Sequence, residues 1–160
     1  MPNAAARHFR RLQLMCSGIL ASLVAYALIV AVVPWPPEPA LPQGEPLLWG
    51  FAFLAAVNLV TIMPVYRVML AGPRRVFAIG QQPERLLAAH FVAHLTAFAR
   101  LDAVSLLGLV LYLLTGRGDW FAIFTGVAAL GMVVLWPRRT KVAALLAAPG
   151  LPPEAIAAPQ

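Results

Sequence analysis

The stretch LLAAHFVAHLTAFARLDAVSLLGLVLYLLT, Leu86 to Thr115, decides how this chain folds. It is a long apolar run with Arg100 and Asp102 set almost at its centre. Apolar runs of this length read as membrane-spanning helices. An arginine or aspartate at the middle of such a helix costs about 2.5–3.5 kcal/mol on insertion scales, so each is a functional candidate by default. The flanking leucines and valines offset that cost and keep insertion feasible.

The rest of the chain agrees with a membrane setting. Hydrophobic residues make up 61% and charged residues 11%, with a mean hydropathy of +0.81. Soluble domains carry roughly 25% charged residues, so there are too few charges here to coat a water-facing surface. The net charge of +6 could point to nucleic acid. However, the basic residues fall in short clusters between apolar runs and form no basic reading face, so no nucleic-acid partner is expected. Cys16 is the only cysteine, which excludes an intramolecular disulfide. Its reading is a small apolar side chain within a helix.

Three further runs accompany the central one. Leu12–Val33 follows a short polar lead containing Arg7, Arg10 and Arg11, and its 22 residues suffice to span a bilayer. Ala25-Tyr26-Ala27 resembles a signal-peptide cleavage site, but the run continues well past it, so a retained helix is expected. A proline-rich segment from Pro34 to Pro46 then predicts an extended loop, flanked by Trp35 and Trp49 at the membrane interface. Leu47–Leu70 is the second span. Pro64 predicts a kink there, with Thr61 available to satisfy a freed carbonyl. The segment from Ala71 to Arg85, punctuated by Gly72-Pro73 and Gly80, reads as the link to the third span. Gly116 to Asp119 makes a tight turn, and Trp120–Trp136 is a short fourth span. After Pro137 the chain reads as a basic cytoplasmic tail, helical from Val142 and disordered at its end.

The fold expected is therefore an all-α membrane protein, a bundle of four transmembrane helices at about 12–33, 47–70, 86–115 and 120–136. Residues 1–137 form the transmembrane domain and 138–160 the partly disordered tail. Basic residues orient it. Three lie in the N-terminal lead, four in the second link counting Arg67, and three after the last span, against Arg117 alone in the loops of the other side. The positive-inside rule then places both termini in the cytoplasm of a bacterial-type inner membrane.

Halving each span brings Ser22, Asn58, Arg100, Asp102 and Thr125 to one level, a predicted midplane polar cluster. Arg100 and Asp102 lie about 200° apart around a helix and so need different partners, on other helices or in a neighbouring copy. The bland reading is helix glue, with Asn58 completing a packing clamp. The sharper one makes Asp102 a proton carrier.

His90 and His94 stand one turn apart, on a stripe continuing through Leu101, Ser105, Gly108, Tyr112 and Thr115. They suit a proton relay or a quinone- or haem-associated site. No second group of ligands accompanies them, and His8 falls in the lead, outside the membrane. No metal or other cofactor is therefore predicted. Small residues four apart, Gly18/Ser22, Ala52/Ala56 and Ala122/Gly126, allow close helix approach. No hydrolytic triad, metalloprotease motif or phosphate-binding loop is present, so a non-enzymatic role is expected.

Residues 80–114 resemble the proteolipid (c-type) subunit of rotary ATP synthases. AIGQQPE, then an apolar segment, then LDAVSLLGLVLYLL follow the order of that family's polar loop and carboxylate-bearing helix. The resemblance implies that Gln82-Pro83 stand for the loop and Asp102 for the proton-carrying carboxylate. Beside it stand two readings from the residues themselves. One is a non-catalytic subunit or assembly partner within a larger membrane complex, whose partners are the lipid bilayer and other membrane subunits or further copies of itself. The other is an anchor of a redox complex using His90 or His94.

Overall fold

The structure, a computed structural model, describes residues 2–33, 45–80 and 83–142. It is helical along almost all of that length, with α1 at Pro2–Val32, α2 at Glu45–Gly80, α3 at Pro83–Thr115 and α4 at Gly118–Val134. No strand occurs among the described residues. Three segments, Ala6–Val32, Glu45–Phe77 and Pro83–Thr115, are long and apolar enough to cross a membrane, and α4 is a shorter apolar helix. Alanine- and leucine-rich runs favour this outcome, because a helix pairs its backbone amides and carbonyls internally.

The helices outrun the expected spans at the charged ends. α1 starts ten residues before Leu12, so the N-terminal lead is part of the helix. α2 continues through both Pro64 and Pro73 to Gly80, where a link was expected from Ala71 onward. A proline removes a single backbone donor, and neighbouring turns can hold the helix on either side of it. At the other extreme α4 stops at Val134, two residues short of Trp136. Leu135 donates its amide to Gly131 O, and Trp136 is disfavoured in the helix because Pro137 follows it. The α3–α4 connection is only Gly116-Arg117, and Gly116 takes φ 72°, a backbone conformation that glycine adopts without a Cβ penalty. The proline-rich segment up to Gly44, Gln82, and the tail beyond Val142 lie outside the described residues.

α3 is the axis of the molecule. Half of the most apolar part of α3 is buried, against 11% for α1 and for α2, so α3 is the helix that the others cover. It packs most extensively on α2, then on α4 and α1, while α1 and α4 touch more lightly. The core joins Leu12, Cys16 and Leu23 of α1, Ala55 and Ile62 of α2, Phe98, Leu101 and Val104 of α3, and Phe124, Ala128 and Met132 of α4. Cys16 is fully buried, as a small apolar side chain would be.

Matched contacts fix the directions. His8 faces His90, Ser22 faces Asp102, and Tyr112 donates to Val30 O, at sequence separations of 82, 80 and 82, so α1 and α3 run parallel. α2 and α4 each run antiparallel to α3: Asn58 meets Arg100 while Tyr66 meets His94, and Gly131 meets Leu101 while Phe124 meets Gly108. One end of the assembly carries a cluster of Phe9, Leu87 and Val142, with the Arg139 guanidinium 5.3 Å from the Phe9 ring centre. The early residues of α1 and the segment after α4 therefore meet at the same end.

Close approach comes from glycines other than those in the expected pairs. A Cβ on Gly18 or Gly126 would meet nothing within 4 Å. A Cβ on Gly108 would lie 2.6 Å from Phe124 Cβ, and one on Gly131 would lie 2.6 Å from Leu101 Cδ2. The tight seam is α3 against α4.

Candidate functional site

Arg100, Asp102 and Ser105 sit within two turns of α3, and each is bonded to a different helix. Arg100 turns to α2. Its Nη2 donates to Thr61 Oγ1 at 2.7 Å, its Nη1 to Thr61 O at 3.3 Å, and its Nε to Asn58 Oδ1 at 3.3 Å. Both acceptor side chains are anchored in their own helix: Asn58 Nδ2 donates to Leu54 O, and Thr61 Oγ1 donates to Val57 O. The Thr61 hydroxyl thus bonds back along the helix and receives Arg100. It does not reach the carbonyl of Val60, which Pro64 leaves without its usual donor.

Asp102 turns to α1. Ser22 Oγ lies 2.5 Å from Asp102 Oδ1, and Tyr26 Oη donates to Oδ2 at 3.2 Å. Ser22 Oγ is equally close, 2.5 Å, to the carbonyl of Ile19. Ser105, completely buried, completes the set by bonding Thr125 Oγ1 of α4 at 2.9 Å. The five residues expected to share one cluster therefore divide into three separate inter-helix contacts: Arg100 with Asn58, Asp102 with Ser22, and Thr125 with Ser105. Arg100 and Asp102 do not pair with each other within the chain. Among the described residues neither has an ion-pair partner, the one salt bridge being Arg117–Asp119 at the α3–α4 turn.

The second group is aromatic and lies toward the start of α3. His90 and His94 are both buried, with ring centres 4.4 Å apart. His94 Nδ1 meets Tyr66 Oη of α2 at 3.0 Å, and His90 Nδ1 meets His8 Nε2 of α1 at 3.4 Å. His8 is thus part of this cluster and not of a detached lead. Three helices contribute to it, in the order His8, His90, His94, Tyr66. Among the described residues no three His, Cys, Asp or Glu side chains are grouped to hold a metal ion.

Thr61, Tyr26, Tyr66 and His8 are the site residues that sequence reading missed. Three of them carried a signal. Thr61 is three residues after Asn58, and Tyr26 is four after Ser22, so each shares a helix face with a residue already singled out. His8 is four residues before Leu12, the first residue of the expected span, and becomes visible once the lead is read as helix. Of the residues carrying the proteolipid resemblance, Pro83 opens α3, Gln82 lies outside the described residues, and Asp102 faces α1.

No protein-family model, curated protein or solved structure matches this chain.

Proposed function

We propose that the chain is an integral protein of a bacterial-type inner membrane, crossing it four times with both termini cytoplasmic, and that it serves as a non-catalytic subunit or assembly partner of a larger membrane complex. The observation that carries this reading is the division of labour on α3. Its mid-length polar groups are each committed to a bond with another helix, which is the use expected of polar glue between helices in lipid. Support for the membrane setting comes from the outer faces. Leu14, Val24 and Leu28 of α1 and Trp49, Phe53, Val60 and Val68 of α2 are exposed, at 59% or more of their surface. Apolar area of this extent calls for lipid or partner helices.

Two experiments test it. In a Cys16→Ser background, Glu45→Cys should react with a membrane-impermeant thiol reagent only from the periplasmic side; reaction from the cytoplasmic side overturns the topology. For the assembly role, the chain isolated in mild detergent should migrate with a larger complex. Recovery as a free monomer from native membranes overturns that role.

A second reading, Asp102 as a proton carrier, is favoured by one observation. The carboxyl contacts two hydroxyls and no described cation, and Ser22 has one hydrogen for two acceptors at 2.5 Å. A proton on Asp102 would supply the missing hydrogen, which gives the carboxyl a place to hold one. If Asp102→Asn leaves proton flux into reconstituted vesicles unchanged while assembly suffers, this reading falls and the structural one stands.

A further inference from the structure

Between the first turns of α1 and α3 lies an open cleft of about 520 Å³ whose walls differ in chemistry. Arg7 and Arg11, one turn apart, line the α1 side, and Glu84, Leu87, Phe91 and Val92 line the α3 side. Neither arginine has a side-chain hydrogen bond or ion pair among the described residues. The parallel register of α1 and α3, offset by 80 to 82 residues, ranks these groups along the helix axis. Phe91 and Val92 lie deepest, level with Arg11. Arg7 comes next, level with Leu87. Glu84 is outermost, roughly one turn beyond Arg7 at 1.5 Å per residue.

We propose that this cleft binds the headgroup of an aminophospholipid, phosphatidylethanolamine, at the cytoplasmic face of the membrane. The inference rests on the membrane reading above. The axial order of the cleft is the order of groups in that lipid. Acyl chain and glycerol lie along Phe91 and Val92, the phosphodiester lies between the guanidinium groups of Arg7 and Arg11, and the primary ammonium, two carbons further out, meets the Glu84 carboxylate. Guanidinium groups are suited to phosphate because their planar donors bond two oxygens at once. Basic pockets between helices on the cytoplasmic side are recurrent phospholipid headgroup sites. Glu84 adds the selectivity. A primary ammonium can donate to it, a trimethylated ammonium has no hydrogen to give, and a glycerol headgroup carries no positive charge.

The test uses the full chain in detergent, with phosphatidylethanolamine, phosphatidylcholine and phosphatidylglycerol of identical acyl chains, and retention read by native mass spectrometry. Wild type should retain phosphatidylethanolamine in preference to both others. Arg7→Gln with Arg11→Gln should weaken that binding roughly twenty-five-fold, since each basic residue at a membrane surface contributes about fivefold. Glu84→Gln should erase the preference and favour phosphatidylglycerol. Arg10→Gln, outside the cleft, should change nothing. Equal retention of the three lipids by wild type, or indifference to the double substitution, overturns the proposal. So does full competition by soluble glycerophosphoethanolamine, which would make the ligand a free metabolite. Extraction of the native chain by alkaline carbonate is the separate failure of the membrane reading.

Discussion

Ser22 of α1 and Asp102 of α3 meet at 2.5 Å between oxygens, and Tyr26 closes on the same carboxyl from one turn further along α1. Arg100, two residues before Asp102, projects about 200° around the helix from it and finds Thr61 and Asn58 on α2. α3 thereby holds α1 by an acceptor and α2 by a donor at nearly the same level. Since α1 and α2 share little direct contact, α3 carries the relation between them.

This arrangement sets separable couplings. Double-mutant cycles on unfolding in mixed micelles should give Ser22→Ala with Asp102→Leu, and Thr61→Val with Arg100→Met, coupling energies of about 0.6 kcal/mol and at most about 1.7 kcal/mol, the average and upper end for inter-helix hydrogen bonds in membranes. Ser22→Ala with Arg100→Met should be additive within about 0.5 kcal/mol, because the two share no partner. Strong coupling in that cross pair would mean that the polar residues act as one network.

Tyr66 offers a second measure of the α2–α3 contact. Its hydroxyl meets the buried His94 ring at 3.0 Å. Tyr66→Phe leaves that ring nitrogen without this partner, at a cost of about 1–3 kcal/mol where nothing replaces the bond. Tyr66→Phe should lower thermal stability in detergent more than His8→Phe, because the His8–His90 contact is longer, 3.4 Å, and His8 is only part-buried. The reverse ranking would place the weight of the cluster on α1.

The helical class was legible because it depends on local pattern, above all on the length of the apolar runs. Which helix each polar residue addresses was not legible. Arg100 and Asp102 could be set on different faces by the 100° step alone, but choosing α2 for one and α1 for the other needs the packing order around α3. Helix ends were misplaced for a related reason. Proline and arginine at Gly72–Arg75 argue for a link when weighed locally, whereas a helix already propagating through Met69 and Leu70 loses only one bond by continuing past Pro73. The tight glycines were hidden too, because Gly108 and Gly131 pair across two helices and no spacing within either one marks them.

The α3–α4 turn carries the one ion pair described, Arg117 Nη2 to Asp119 Oδ2 at 2.7 Å, with both side chains 55% exposed. The hydrogen bond from Arg117 holds the Asp119 carboxyl below its usual range. A depressed carboxyl stabilises the fold above its unfolded pKa and loses that contribution as the pH falls through the folded one. The pair is open to solvent, so the effect should be slight. Asp119→Asn should leave the melting temperature at pH 7 nearly unchanged and flatten whatever decline wild type shows below about pH 4. A large loss at neutral pH would show that the turn depends on the pair.

Gly108 and Gly131 face the same seam with different neighbours, and alanine should separate them. The Cβ of Gly108→Ala falls 2.6 Å from Phe124 Cβ and 3.5 Å from Phe121 Cα, atoms that move only if α4 moves. The Cβ of Gly131→Ala meets the far end of Leu101, whose methyls can rotate away. Overpacking of a tight contact costs about 1–3 kcal/mol. In a helix interior alanine also gains about 0.8–1 kcal/mol over glycine. The balance should leave Gly108→Ala destabilised by about 1–2 kcal/mol and Gly131→Ala near neutral, read from unfolding curves in mixed micelles. Gly126→Ala, where a Cβ meets nothing within 4 Å, isolates the helix-propensity gain. If Gly108→Ala proves as benign as Gly126→Ala, α3 and α4 do not pack at the distance that Phe124 defines.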